Sequence, residues 1–356
     1  MRILLVRPAA SGGLAAHVDH ELALLTAAGR EVSEAPVRIG ERPRLAGDLR
    51  TVRTLRAAMD GSPAPVTVHA HGLRAGALSA LAVRGRRGRR LVVTLHNRTV
   101  GRRATRAVGA GLLRIVARGA DTVLAVSPDL AEAARRAGAR EVRHAVIPAP
   151  EPVAPGDRTV SGASEESLPT APARTGDGPR LGRLEILVIA RLAPQKGLGD
   201  LLDVAALLRE GPPARIRIAG EGPLHQELAA RIRAEHLPVE LLGRRSDVPA
   251  LLAAADLVVS AAHWEGQPVS LQEALQAGRA IVATDAGGTR WVTGDAAALV
   301  PVGDVPALAA AITALADPAA RDAAEAASRR RARDLPTAED LLAQLDEVLV
   351  PGPQHW

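Results

Sequence analysis

Short apolar runs alternate with longer stretches of helical periodicity along most of the sequence, and this order strongly limits the possible folds. Such alternation is typical of parallel strands joined by helical crossovers, so we predict an α/β protein. In the first half the predicted strands are residues 2–6, 66–69, 91–95, 122–126 and 143–147, with helices at 17–28 and 128–137. In the second half the predicted strands are 185–190, 215–219, 239–242, 257–260, 280–284 and 298–300, with helices at 198–209, 224–235, 248–255, 270–277, 305–315 and 338–348.

A polar segment separates the two series. Residues 151–182 are rich in Pro, Gly and Ser and lack periodicity, which is typical of a linker or a surface insertion. The length of 356 residues exceeds what one ordinary core accommodates. We therefore predict two Rossmann-like, doubly wound domains facing each other across a cleft, at residues 1–150 and 183–335, followed by a C-terminal helix and tail at 336–356.

The residue types that are missing exclude several kinds of site. Because the chain has no Cys, disulfides, thiolate metal sites and a cysteine nucleophile are excluded, and a reducing compartment is expected. No apolar run is long enough to span a bilayer, and the apolar start is too short for a signal peptide, so we expect a cytoplasmic protein. The excess of Ala, Arg, Gly and Pro indicates a GC-rich, bacterial genome.

Positive charge is concentrated in the first half. Up to residue 150 there are 25 Arg against 11 acidic residues, whereas the rest has 20 basic and 28 acidic residues, which together give the net charge of +6. An anionic membrane surface, an anionic substrate, nucleic acid or plain solvent could face this charge. Nucleic acid is the weakest of these, because no aromatic residues are interleaved for base stacking. The densest cluster consists of Arg84, Arg86, Arg87, Arg89, Arg90, Arg98, Arg102, Arg103 and Arg106.

Only one of the 45 basic residues is a lysine. It is Lys196, in the run Arg191-Leu-Ala-Pro-Gln-Lys196-Gly197. The composition favours Arg at ordinary basic positions, whereas a compact ammonium suits a tight phosphate site. Lys196 is therefore a candidate phosphate ligand, although drift could also leave a single lysine.

Two carboxylates flank a turn and the start of a helix in the second half. Glu265 precedes the turn Gly266-Gln267-Pro268, and Glu273 follows on the predicted helix. Backbone N–H groups at a helix start attract a diphosphate, and neighbouring carboxylates can accept hydrogen bonds from sugar hydroxyls. Two solvated glutamates at an ordinary helix start are the alternative.

The order of motifs decides between these interpretations. Arg191 and Lys196 after one strand, Gly220-Glu-Gly222 after the next, and then the Glu265/Glu273 segment resemble the second half of a retaining glycosyltransferase of family 4 (glycosyl transferases group 1), which has the two-domain GT-B architecture. In the first half, Gly12-Gly13 after the first strand resembles the family's glycine-rich loop, and His96 resembles its histidine beside the transferred sugar. The glycine pattern is not G-x-G-x-x-G, which argues against NAD.

The resemblance implies roles for these residues. Arg191 and Lys196 would neutralise the donor diphosphate and the charge growing on the leaving group. Glu273 would hydrogen-bond the ribose, while Glu265 and His96 would grip the sugar. The other donor contacts would come from Gly12, Gly13, Gly266, Asp247, Val269, Ser270 and Leu271.

The implied chemistry is transfer of a sugar, with retention, from a UDP- or GDP-type nucleotide donor to a hydroxyl acceptor. The resemblance implies no cofactor and no metal. No carboxylate of the sequence stands out as a nucleophile for a double displacement, so front-face attack by the acceptor is expected. The acceptor stays open between a lipid-linked molecule and a small metabolite, and the Arg-rich first half suggests peripheral contact with the inner membrane face. A non-catalytic sugar-nucleotide-binding protein remains an alternative, because Thr289-Arg290-Trp291 departs from the family pattern. Another GT-B enzyme, such as a nucleotide-sugar epimerase or a phosphorylase, is the second alternative, and the short length together with the Arg191/Lys196 and Glu265/Glu273 set argues against a phosphorylase.

Overall fold

The computed structural model describes residues 1–9, 13–40, 45–61, 65–99, 102–148 and 183–350. Two compact units divide the chain: unit 1 comprises Met1–Pro148 and Pro336–Trp356, and unit 2 comprises Ala149–Leu335. The predicted linker at 151–182 and the predicted site residue Gly12 lie outside the described residues.

Unit 1 is built on a six-stranded parallel sheet with the order β2-β1-β3-β4-β5-β6. Its strands are β1 (Arg2–Val6), β2 (Val32–Glu34), β3 (Val66–His71), β4 (Arg89–Leu95), β5 (Thr122–Ala125) and β6 (Val142–His144). The connecting helices are α1 (Gly13–Ala27), α2 (Leu45–Asp60), α3 (Leu73–Val83), α4 (Arg103–Gly119) and α5 (Pro128–Arg136). Every pairing in the sheet is parallel, as expected for strands joined by helical crossovers.

Unit 2 is built on a second six-stranded parallel sheet, with the order β12-β11-β10-β7-β8-β9. Its strands are β7 (Leu184–Ile189), β8 (Ala214–Ala219), β9 (Val239–Gly243), β10 (Leu257–Ser260), β11 (Ala280–Thr284) and β12 (Ala297–Val300). Its helices are α6 (Leu198–Leu207), α7 (His225–Ala234), α8 (Val248–Ala254), α9 (Val269–Gln276), α10 (Thr289–Thr293), α11 (Val305–Ala314) and α12 (Pro318–Ala332). The predicted α/β class with two doubly wound units is confirmed.

Alternate side chains of the central strand β7 enter opposite cores of unit 2. Ile186 and Val188 belong to one cluster of buried residues, and Leu187 belongs to the other. Because successive side chains of a strand point to opposite faces, a continuous apolar run means that both faces are covered. Helices therefore lie on both sides of this sheet, and only the strand ends are left to build a site.

The last helix of the described chain, α13 (Ala338–Leu349), belongs to unit 1. It begins with a capping box, in which Thr337 and Asp340 satisfy each other's backbone N–H groups. The hydroxyl of Thr67, on β3, donates to the carbonyl of Leu349 over 2.8 Å. Arg30 pairs with Asp346. The helix thus completes unit 1.

Within the described ranges, none of the helices combines the length and apolarity that crossing a bilayer requires.

Candidate functional site

The sheet order of unit 2 places two loops side by side. In an open parallel sheet, ligands bind beyond the carboxyl ends of the strands, at the point where the strand order reverses. In unit 2 this point lies between β7 and β10, which pair directly. Lys196 follows β7 and Glu265 follows β10, so the topology brings both side chains to one edge of the sheet.

Lys196 and Glu265 form an ion pair at this edge. Nζ of Lys196 donates to Oε1 of Glu265 over 2.5 Å. The lysine side chain is 22% exposed and the glutamate side chain 11%, so most of each is covered while a path to solvent remains. A mostly covered cation beside a carboxylate suits a ligand that carries both phosphate and hydroxyl groups.

Gly197 ends the short turn that carries the lysine. Pro194–Lys196 form one 3-10 turn, and Gly197 follows with a φ of 59°, in the left-handed region. A Cβ at Gly197 would lie 1.8 Å from the carbonyl oxygen of Ala261, in the loop after β10. The N–H of His263 donates to the carbonyl of Gln195 over 2.9 Å. Backbone contacts between the two loops therefore fix the start of the lysine side chain.

We expect Gly197→Ala to lower the free energy of unfolding of unit 2 by about 2–3 kcal/mol, because the left-handed conformation and the carbonyl contact both oppose a Cβ. Urea unfolding followed by circular dichroism measures this change. Gly199→Ala is the matched control, since a Cβ at Gly199 meets nothing within 4 Å and its φ is not positive. Equal stability of the two variants would contradict the argument.

Arg191 lies immediately beyond β7, and its side chain is exposed. Among the described residues, no acidic group pairs with it and none accepts a hydrogen bond from it. Its guanidinium therefore remains available to an anion, unlike the ammonium of Lys196, which already holds Glu265.

The start of α9 offers two backbone donors. α9 begins at Val269 after Pro268, and the N–H groups of Val269 and Ser270 donate to no residue in the described part of the chain. The N–H of Leu271 instead donates to the carbonyl of Pro268 over 3.0 Å, and the Leu271 side chain is fully buried. Of the three predicted positions, Val269 and Ser270 thus have donors to offer at the positive end of the helix.

The remaining predicted residues of unit 2 differ in their availability. Glu273 is half-buried on α9, and this burial raises the pKa of its carboxyl. Gly266 is half-buried in the loop that follows Glu265. Asp247 already accepts from Nε and Nη2 of Arg245 over 2.7 and 2.6 Å. Each oxygen of the Asp247 carboxylate thus already accepts one hydrogen bond from Arg245.

The equivalent point of unit 1 lies between β1 and β3 and holds a buried polar cluster. α1 contributes His17 and Glu21, β3 contributes His69 and His71, and His96 follows β4. Oε1 of Glu21 lies 2.8 Å from Nε2 of His17. Its Oε2 lies 3.1 Å from Nε2 of His71 and 3.3 Å from Nδ1 of His69. Nδ1 of His71 lies 3.1 Å from Nε2 of His96. A chain of contacts therefore runs from the Glu21 carboxylate through His71 to His96.

Electrostatics favour an ionised Glu21 in the company of neutral His69 and His96. Burial alone raises the pKa of Glu21, but His71 and His69 together with the contact to His17 outweigh it and hold this pKa well below the usual value. Burial, reinforced by the neighbouring His71, lowers the pKa of His69 to about 3. Burial is also the main cause that holds the pKa of His96 well below its usual value. A neutral His96, with Nε2 towards His71, has Nδ1 left for a ligand.

Among the described residues, two sets of side chains in this cluster could hold a metal ion. One set is His17, His71 and His96, and the other is Glu21, His69 and His71; in each set the ligand atoms lie within 4.8 Å of one another. Imidazole nitrogens and a carboxylate suit zinc.

Glu21 contacts three histidines of the cluster, and the sequence analysis did not identify it. It lies on the same face of α1 as Val18 and Leu25, and all three are buried. A glutamate within an otherwise apolar helix face is the signal that could have found it. Gly13, the described half of the predicted glycine loop, is the exposed first residue of α1.

Family models match both halves of the chain. The model described as "Glycosyl transferase 4-like domain" matches residues 3–150, and the model described as "Glycosyl transferases group 1" matches residues 183–317. A glycogen synthase of Mycobacterium tuberculosis is 32% identical over 161 residues, which cover 43% of this chain and 39% of that protein. An N-acetylgalactosaminyltransferase of Campylobacter jejuni, named for a diphospho-undecaprenol acceptor, is 33% identical over 103 residues, 29% of this chain and 27% of that protein.

Solved structures share the fold over nearly the whole chain. Anabaena HepE, crystallised with UDP, superimposes with a TM-score of 0.71 at 20% identity, covering 98% of this chain and all of that one. Sucrose-phosphate synthase of Thermosynechococcus elongatus superimposes with a TM-score of 0.75 at 19% identity, covering 98% of both chains. At such identities these likenesses show the fold alone.

Proposed function

Because the chain belongs to the glycosyl transferases group 1 family, we propose that it moves a sugar from a nucleotide-diphosphate donor to a hydroxyl acceptor. The observation that carries this proposal is the Lys196–Glu265 pair at the strand-order reversal of unit 2. The unpaired Arg191 and the free N–H groups at the start of α9 complete a set of groups suited to a diphosphate sugar.

Binding of the donor would give Lys196 and Glu265 new partners. A diphosphate carries more negative charge than one carboxylate, so Lys196 and Arg191 would turn to its oxygens. Glu265, released from the lysine, would accept a hydrogen bond from a sugar hydroxyl. Glu273, with its raised pKa, lies on α9 and would hydrogen-bond the ribose. UDP is the nucleotide we favour, since HepE, which shares this fold, was crystallised with UDP and with UDP-glucose.

For His96 we propose the role that the family resemblance implies, a contact to the transferred sugar. Its contact to His71 leaves Nδ1 as an acceptor for a sugar hydroxyl, and its lowered pKa keeps the ring neutral there. A neutral acceptor adds no positive charge next to the anomeric carbon, where positive charge grows during transfer.

Retention by front-face attack fits the carboxylates of unit 2. A double displacement needs a carboxylate free to attack the anomeric carbon, whereas in the proposed donor complex Glu265 accepts from a sugar hydroxyl and Glu273 binds the ribose. In the proposed reaction the acceptor oxygen attacks from the side of the leaving phosphate, which takes the acceptor proton. The Lys196 and Arg191 cations stabilise the departing diphosphate, so the proposed reaction needs neither a metal nor a cofactor.

A hydroxyl on a lipid-linked molecule or on a small metabolite would serve as acceptor. The diphospho-undecaprenol named for the C. jejuni relative is one acceptor type to test. Soluble sugars and sugar phosphates are the small-metabolite acceptors to test in the same product assay.

Nucleotide binding tests the proposal directly. We expect UDP to raise the melting temperature of unit 2 more than GDP, ADP or TDP, because a ligand that binds only the native state stabilises it by about 2.7 kcal/mol at a hundredfold excess over Kd. The shift should persist in EDTA and should be lost in Lys196→Ala. Thermal shift, calorimetry and product analysis with UDP-sugars provide the readouts. Failure of every nucleotide to bind the folded protein would overturn the proposed function.

A further inference from the structure

A groove of about 600 Å³ lies on unit 1 between α3 and α4. The two helices approach each other closely where Ala80 meets Gly119; a Cβ at that glycine would lie 2.6 Å from the Cβ of Ala80. Beside this contact the side chains of Leu81, Arg84, Arg114, Ile115 and Arg118 line the opening. None of these five residues belongs to the candidate donor site or to the histidine cluster.

The groove is cationic. Arg84, Arg114 and Arg118 are exposed, and none of them pairs with an acidic side chain of the described chain. The one carboxylate in the lining, that of Asp121, accepts from the backbone N–H of Leu91 over 2.8 Å. Arg89 lines the groove as well, so four arginines share it with a single, already engaged acid, and the charge of the three exposed ones is available to an external anion.

The densest arginine cluster of the sequence contributes less positive charge to this groove than its composition suggests. Arg86 pairs with Asp60. Arg89 donates to backbone carbonyls of Gly88 and Met59. The groove instead takes two of its cations, Arg114 and Arg118, from the last turns of α4, beyond the densest cluster.

Apolar side chains lie among these cations. Leu81 is 39% exposed, Ile115 37% and Val108 52%, which are high values for large apolar residues. Ile115 lies on α4 between the two groove arginines, and Val108 lies two turns earlier on the same helix. A helix that mixes exposed apolar residues with arginines on its outer face is typical of segments that lie in a membrane interface.

We infer that this α3–α4 groove binds the surface of an anionic phospholipid membrane. Arg84, Arg114 and Arg118 would contact lipid phosphates, and Leu81 and Ile115 would reach the acyl boundary. RNA also carries phosphates, but the groove lining has no aromatic side chain on which bases could stack. The inference is independent of the proposed donor chemistry and adds a membrane-bound location for it.

Co-sedimentation with vesicles at low salt tests the inference. We expect the full chain to bind vesicles of phosphatidylcholine with 30% phosphatidylglycerol and not to bind phosphatidylcholine alone. Because each arginine near an anionic surface adds to the partition, Arg114→Ala/Arg118→Ala should lower binding roughly 10- to 30-fold. Leu81→Ser/Ile115→Ser should weaken binding and make the remainder more sensitive to salt, since only the electrostatic part would persist.

Arg233→Ala/Arg330→Ala is the matched control, because it removes the same charge from two exposed, unpaired arginines of unit 2. It should bind vesicles as the wild type does. Equal losses of vesicle binding in the two arginine double variants would show that only net charge matters. That result would overturn the groove as the binding site. Absence of wild-type binding to anionic vesicles would overturn the membrane inference, as would RNA binding that depends on Arg114 and Arg118 without vesicle binding. Melting temperatures of all variants confirm that they fold.

Discussion

Lys196→Ala should lower kcat/KM for sugar transfer about 100- to 1,000-fold, the loss found when one group that stabilises transition-state charge is removed from an active site. The ammonium is mostly covered, so its charge acts on the leaving diphosphate with little screening by water. Initial-rate measurements with a UDP-sugar donor and the identified acceptor give the value. Lys196→Arg should recover part of the rate, because it restores the charge but not the compact geometry.

Two further variants separate catalysis from folding. Lys196→Ala leaves the mostly covered Glu265 without its partner, so Lys196→Ala/Glu265→Gln removes that cost while still lacking the cation. Arg233→Ala removes one exposed charge elsewhere in unit 2 and should keep full activity. A double variant that transfers sugar within threefold of the wild-type rate would show that Lys196 does not serve the reaction.

Unit 1 should lose stability steadily as the pH falls from about 6.5 to about 3. Unfolded His69 takes up a proton near its ordinary pKa of 6.5, whereas the buried ring does so only near 3. Between these values the unfolded state binds more protons, so the free energy of unfolding falls with pH, by up to roughly 5 kcal/mol for this residue. Glu21 acts in the same direction below pH 4.5, because its folded pKa is also lowered.

Hydrogen exchange in peptides from α1 and β3, followed by mass spectrometry at each pH, measures this loss within unit 1. His69→Gln removes the titrating ring and should flatten the dependence between pH 6.5 and 4.5. His225→Gln, at an exposed position of unit 2, is the control and should leave the profile unchanged. A profile that is equally steep in His69→Gln and the wild type would contradict the assignment to His69.

Most strands could be predicted because they are buried on both faces. β7, for example, contains the continuous apolar run 186–189, whose neighbours cover it on either side. β2 (Val32–Glu34) has no such signal, since it is a three-residue edge strand that stays partly exposed. The predicted strand at 143–147 pairs only over Val142–His144.

Helices without an amphipathic pattern could not be predicted. α3 is buried almost all round, from Ala75 to Ala82, so it has no polar face to set a period. α12 has the opposite character, because its buried face carries Arg321, Glu325 and Ser328. Arg321 is stable there since its guanidinium donates to the carbonyls of Leu315 and Ala316. Hydrophobic periodicity detects neither helix.

The candidate site was predictable as a set of residues and not as a set of contacts. Lys196 and Glu265 stand out by composition and motif order, but their direct contact depends on β7 pairing with β10. The sequence does not contain that pairing, because β8 and β9 intervene along the chain. The same reason hides the link between Glu21 and His96, which crosses three elements of unit 1.

The return of α13 to unit 1 makes unit 2 an insertion within the sequence of its neighbour. During synthesis, β3 is made early, yet the carbonyl of Leu349 that accepts from Thr67 arrives only after the whole of unit 2. Unit 2 is contiguous and can fold as it leaves the ribosome, whereas unit 1 must hold an unfinished surface until α13 has been made. The surface of unit 1 that α13 covers thus stays open for the time that the synthesis of unit 2 takes.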